Sequence, residues 1–184
     1  MFSQLRPALT MVGAFSVLLG LGYPLAMTGI AQAVMPAQAD GSLIRQGDRV
    51  IGAALIGQDF TRQEYLHGRP SATDPAYNAA SSTGSNFGPS SAASTEQVKA
   101  RAAAFGGAPV PSEMATASAS GLDPHVSLEG ALRQVPRIAA ARGIEPGAVE
   151  AAIRSAVTGP AFGFVGAPIV NVLRANLALD AERG

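Results

Sequence analysis

From Pro7 through Ala39 the chain carries no charged side chain, and this run constrains everything that follows it. Its centre, Leu9 to Met35 (LTMVGAFSVLLGLGYPLAMTGIAQAVM), would form a helix about 40 Å long at ~1.5 Å per residue, against a hydrocarbon core of about 30 Å. It is long enough to span a bilayer. Pro24 removes one backbone N–H from the ladder, so a kink is expected near Gly22-Tyr23-Pro24. Gly13, Gly20, Gly22 and Gly29 leave parts of the helix surface bare enough for another membrane helix to approach closely. A cleaved secretory signal is the competing reading, with Arg6 as its positive region and Ala37-Gln38-Ala39 as a small-x-small site before Asp40. A signal's apolar core is about 7 to 15 residues, however, and the length here favours an uncleaved anchor. Arg6 and the amino group lie on one side and no Lys or Arg appears on the other until Arg45. The positive-inside rule then puts residues 1–8 in the cytoplasm, residues 9–35 across the membrane and residues 40–184 outside.

Residues 40–184 are enough for one domain with a real core and too few for two. Arg6 is the only one of the thirteen basic residues before Asp40, which leaves twelve against thirteen acidic. A domain this close to neutral gives no reason to expect a nucleic-acid partner. Charged residues make up 14% of the chain, below the roughly 25% usual for soluble proteins, so part of the surface is expected to be covered by a partner. There is no cysteine, which excludes disulfides and thiolate chemistry, and no metal site is expected.

Beyond the apolar run, Leu43-Ile44 and Val50-Ile51 flank the turn formers Gln46-Gly47-Asp48 and read as a hairpin, with Ala53 to Ile56 extending it. A stretch of about thirty residues from Leu66, crowded with Gly, Pro, Ser and Asn, shows no periodicity. Loops this long inside a domain are functional or wrapped on something else. Ser94 with Gln97 reads as a capping box for a helix whose face carries Val98, Ala102 and Phe105 and which stops at Gly106-Gly107. Ser127 caps the next helix, which breaks at Val135-Pro136, and a second runs to Arg142 with Gly143 as its stop. Pro146 opens a helix striped by Val149, Ile153 and Val157 and ended by Gly159-Pro160. Phe162 to Val165 and Pro168 to Val170 read as extended, and Asn171 caps a last helix with Leu173 and Leu177 on the core side. The expected fold class is therefore α+β: one transmembrane helix, then one compact mixed domain with long irregular loops.

Catalytic motifs are missing: no GxxxxGK[ST], HExxH, GxSxG or SxxK is present, and Lys99 is the only lysine. His67 and His125 are the only histidines, and with Arg69 and Asp123 they could meet as an acid-base cluster. The simpler reading has each imidazole bonding backbone carbonyls to hold an irregular loop. Ser118 and Ser120, in Thr116-Ala117-Ser118-Ala119-Ser120-Gly121, could present hydroxyls to a polar ligand, although such side chains more often satisfy loop backbone.

The unusual strings run in one order: LRPAL and a central YPL in the apolar helix, then GSLI, ALIGQ, HGRPSAT, YNAASSTGSN, ATASASGLDPH, QVPRIAAARG and VNVLRANLALD. Together they resemble the C subunit of the Kdp potassium-transporting P-type ATPase over nearly the whole chain. Met114-Ala115 is a departure where that family usually has Leu-Val. The resemblance implies a non-catalytic subunit of a bacterial inner-membrane potassium pump. Its partners would be an ion-translocating subunit, an ATP-hydrolysing subunit and a very small accessory subunit. Such a role fits the lack of an Asp-Lys-Thr-Gly phosphorylation sequence. No tightly bound cofactor is implied. The family's proposed role as an ATP-affinity chaperone, with a glutamine on the nucleotide ribose, makes Gln134 the first candidate and Gln58 the second. An extracytoplasmic domain has no access to ATP, which sets that role against assembly with the ion-translocating subunit. A membrane-anchored hydrolase is the remote alternative.

Overall fold

The computed structural model describes residues 2–105 and 109–182 and divides into two compact units, Met1–Val50 and Ile51–Gly184. In the first unit, α1 (Leu5–Val17) and α2 (Tyr23–Val34) are joined by a π-helical turn over Leu18–Gly22. The amide of Tyr23 accordingly bonds the Leu18 carbonyl, five residues back. A wide π-helical turn thus lies immediately before Tyr23-Pro24, where the kink was expected, and Pro24 has no N–H to give. The run Leu5–Val34 is long and apolar enough to cross a membrane, with a mean hydropathy of 1.7 over an 18-residue stretch, and includes Arg6 in its first turn. The short helix α3 (Pro36–Ala39) follows, and then the two-stranded sheet of β1 (Leu43–Gln46) and β2 (Arg49–Ala53). Gly47, at φ +59°, makes their turn as the sequence predicts. Ala54 to Ile56, expected to extend the hairpin, lie outside the strand.

The second unit has no helix or strand from Ala54 to Ser91. α4 (Ala92–Ala104) then starts a turn earlier than expected, because the Ser91 hydroxyl, not that of Ser94, caps it by accepting from the Ser94 amide. The expected stop at Gly106-Gly107 lies outside the described residues. α5 (Ser112–Ala115) buries Met114 and Ala115. β3 (His125–Ser127) leads through the Ser127 cap into α6 (Leu128–Leu132), and α7 (Val135–Arg142) ends on Gly143 at φ +66°. α8 (Pro146–Ser155) buries Val149 and Ile153 but stops before Val157, which instead opens β4 (Val157–Thr158). Ala161 to Val165 forms a tight turn, with Phe162 at φ +53°, where extended chain was expected. β5 (Ile169–Asn171) pairs antiparallel with both β3 and β4, giving the order β3-β5-β4 with Val126 and Val157 opposite Val170.

Asn171 caps α9 (Val172–Ala181) through the Arg174 amide, as expected. The inner face of α9 carries Val172, Ala175 and Leu179, whereas Leu177 is half-buried outside the core cluster. Leu66, Met114, Val126, Ile138, Val149, Ile153 and Val170 complete the core that α7, α8, α9 and the sheet enclose. Each large aliphatic side chain there contributes roughly 1.5–3 kcal/mol by leaving water.

Candidate functional site

Residues 62–67 form no helix or strand, only a turn closed by the Tyr65 amide on the Arg62 carbonyl at 3.1 Å, and Leu66 within them is fully buried. Buried carbonyls and amides need partners, and here distant side chains supply them. The Asn176 amide on α9 accepts from Leu66 N at 2.7 Å and donates to Leu66 O at 3.0 Å. Just before α7, Gln134 does the same for His67, accepting at 2.9 Å and donating at 3.0 Å. Arg137 donates to the Gln63 carbonyl and, at 3.0 Å, to that of Tyr65, and Arg142 Nε donates to Glu64 O at 2.6 Å. The His67 ring closes the set by bonding Arg62 O at 2.9 Å through Nε2. Six consecutive carbonyls, Arg62 to His67, are therefore held by side chains. Arg142, with no side-chain exposure, also donates to Leu179 O and Asp180 and lies over the Tyr65 ring.

Burial holds the His67 imidazole below its ordinary value, and the bond to the Arg62 carbonyl only partly opposes this. Its ring is neutral at pH 7, with Nε2–H as the donor. Gln134 is 2% exposed, and its amide also accepts from Arg137 at 2.6 Å and reaches Gly130 O at 3.4 Å. With two donations and two acceptances in use, it can reach a ribose only by releasing backbone or Arg137. It borders a cavity of about 460 Å³ together with Gln63, His67, Phe105, Arg133 and Arg137.

A second network ties the long loop to the Ser-rich stretch before β3. Arg69 donates to Asp123 Oδ2 at 3.1 Å, and Asp123 Oδ1 accepts the His125 amide at 3.0 Å with His125 Nδ1 at 3.7 Å. Arg69, Asp123 and His125 thus meet as the sequence suggested. Among the described residues no hydrogen bond or ion pair joins His67 to them. The Ser71 hydroxyl donates to Gly121 O at 2.7 Å and accepts from the amides of Thr73 and Tyr77. Tyr77 donates to Arg69 O at 2.6 Å, and burial pushes its hydroxyl up to about 12, with Asp123 adding to the effect. Gly57 exists for this ring: a Cβ there would lie 2.4 Å from Tyr77 Cε1 and 2.7 Å from the Asp123 carbonyl.

Ser118 is buried with its amide on Pro70 O, and the Ser120 hydroxyl accepts from Leu122 N. Both serines border a second cavity of about 460 Å³, beside Arg69 and Asp123. Gln58 donates to Ile51 O at 2.9 Å, packed so closely on Gly52 that a Cβ there would lie 2.2 Å from its nitrogen. No cluster of three or more His, Asp or Glu suited to a metal is found among the described residues. Sequence reading passed over Asn176, Arg137, Arg142, Ser71 and Tyr77. Asn176 alone left a signal, as a polar residue on the apolar face between Val172 and Leu179.

Among the described residues, one N-terminal helix apolar enough to cross a membrane, followed by an α+β domain whose polar side chains brace its own loops, defines the class. Within it, the chain belongs to the KdpC family, described as K+-transporting ATPase, c chain, whose model matches residues 5–181. It is 50% identical over 196 residues to the potassium-transporting ATPase KdpC subunit of Methylorubrum populi, covering 98% of each chain. The subunit of the same name from Caulobacter vibrioides is 52% identical over 187 residues, covering 99% of this chain and 95% of its own.

Proposed function

We propose that this chain is the non-catalytic accessory subunit of an ATP-driven potassium uptake pump. In this reading residues 9–35 cross the membrane as an anchor, residues 1–8 are cytoplasmic and residues 40–184 lie outside. There the domain docks the ion-translocating subunit, stabilises its assembly with the ATP-hydrolysing and small accessory subunits, and shapes the path by which potassium arrives. The observation that carries the reading is the side-chain bracing of Arg62 to His67. It commits the very groups that chemistry would need, Gln134 and His67 among them, to fixing an irregular loop. A rigid, irregular surface suits docking, where preorganisation avoids an ordering cost at association. The anchor supports the same view. A Cβ added at Gly13, Gly20 or Gly29 would meet nothing within 4 Å, so these positions are open to a neighbouring helix.

A second reading, ATP binding that raises the nucleotide affinity of the hydrolysing subunit, is favoured by the cavity beside Gln134, where Arg133, Arg137 and Phe105 offer cations and a ring. It requires a cytoplasmic domain. Sidedness separates the two. The chain has no cysteine, and Glu96, with 73% of its side chain exposed, can be replaced by one. In sealed cells an impermeant maleimide is expected to label Glu96→Cys from outside. Labelling only after the cytoplasmic face is opened would overturn docking from outside and favour the nucleotide reading.

A further inference from the structure

We infer that the turn from Ala161 to Val165 is a membrane-surface anchor, seating Phe162 and Phe164 in the interfacial region of the bilayer that holds the N-terminal helix. Phe162 is 91% exposed and Phe164 80%, the two most exposed large apolar side chains among the described residues. Every residue from Ala161 to Ile169 is exposed, and no charged residue occurs between Arg154 and Arg174. The tip is also held in shape. Val165 and Ala161 bond each other in both directions at 2.9 Å, and Phe162 at φ +53° adopts a backbone that bulky side chains avoid. Two rings are thereby presented outward at a conformational cost that the domain core does not recover.

The size of the patch decides what it meets. A phenylalanine buries about 150–250 Å², so two rings and Val165 fall short of the roughly 800 Å² that one partner contributes to a stable protein interface. In the partly hydrated interface the two rings contribute about 2 kcal/mol each, near the lower end of the roughly 1.5–3 kcal/mol for full burial, which is a dissociation constant on the order of 1 mM, too weak for a free protein. It is enough for a tethered one. Only residues 35–50 separate the end of the apolar helix at Val34 from the second unit at Ile51, and they reach at most ~55 Å even fully extended. A short tether gives an effective concentration in the millimolar range, which makes the tip bound about half the time without another contact. With no Lys or Arg in the turn, the attraction does not depend on anionic lipid.

This rests on the helix being a membrane anchor, and the experiment reads the two separately. The chain contains no tryptophan, so Phe164→Trp places a single reporter on a solvent-exposed position. The full chain is reconstituted into phosphatidylcholine vesicles containing brominated lipid, with Phe87→Trp, a 41% exposed loop position, as the comparison. The variant is expected to float with the vesicles, to shift its emission to the blue, and to lose about half of it to the quencher, matching the occupancy above. The Phe87→Trp emission should stay unshifted and unquenched, and replacing a third of the lipid by phosphatidylserine should change neither result. Flotation without quenching of the Phe164→Trp signal would leave the anchor standing and overturn the tip. A chain that does not float would overturn both, and quenching that appears only with phosphatidylserine would overturn the apolar mechanism.

Discussion

The apolar helix and the segment Arg62 to His67 solve the same problem in opposite ways. Each must satisfy a backbone that water does not fully reach, the helix in hydrocarbon under the proposed function and the segment beneath a packed core. The helix does it locally, each amide bonding a carbonyl four or five residues back. The segment does it mostly remotely: beyond the Arg62 carbonyl, which His67 and Tyr65 hold locally, its partners are side chains 67 to 110 residues further along the chain. Local pairing leaves side-chain identity free, so that almost any apolar residue serves. Remote pairing ties each carbonyl to one atom of one side chain.

The largest test of that contrast is Asn176→Leu. The replacement is close in volume and apolar like its neighbours, yet it strands both the N–H and C=O of Leu66 in the core. We expect a loss of about 3 kcal/mol in denaturant unfolding of the full chain in detergent, from two buried groups left unpaired. A change under about 0.5 kcal/mol would mean that water replaces the amide and that the bracing is incidental.

The same substitution placed in each region gives the next largest effect. Gly57→Ala drives a methyl into Tyr77 and the Asp123 carbonyl and should cost about 2 kcal/mol by overpacking. Gly20→Ala, with nothing within 4 Å of the new atom, should leave the unfolding of this chain unchanged. Equal effects at both sites would erase the distinction.

The smallest effect is the pH dependence of His67. Its folded-state value lies below its unfolded one, so the unfolded chain binds the extra proton first. The contribution is complete above the ordinary histidine range near pH 6.5 and is lost as pH falls through the depressed folded value. Wild-type stability should therefore decline on mild acidification, and His67→Gln should flatten that part of the profile. An identical slope in the variant would assign the dependence to other groups.

These differences also explain what the sequence made legible. The apolar run, the Ser127 and Asn171 caps and the Gly143 stop could be read because cause and effect lie within a few residues. The choice of Ser91 over Ser94 was missed because two serines a turn apart both offer an N-cap, and only packing selects between them. Arg69, Asp123 and His125 could be grouped by residue type, and they do meet. Gln134 was noticed for a resemblance, but its bonds to His67 could not be read, since nothing near QVPR announces a loop 67 residues earlier. Val157 was misplaced because an i, i+8 stripe continues past the point where strand pairing with Val170 takes over.

The dependence of Leu66 on Asn176 has a consequence in time. A chain made from its N-terminus exposes Arg62 to His67 long before α7 exists, and completes α7 well before α9. Until Asn176 arrives, the Leu66 backbone can be satisfied only by solvent, so the centre of the domain stays open throughout most of synthesis. Closure becomes a late event triggered by the last described helix, and a chain interrupted before it would present an unclosed core to proteases, however much of its sequence were already in place.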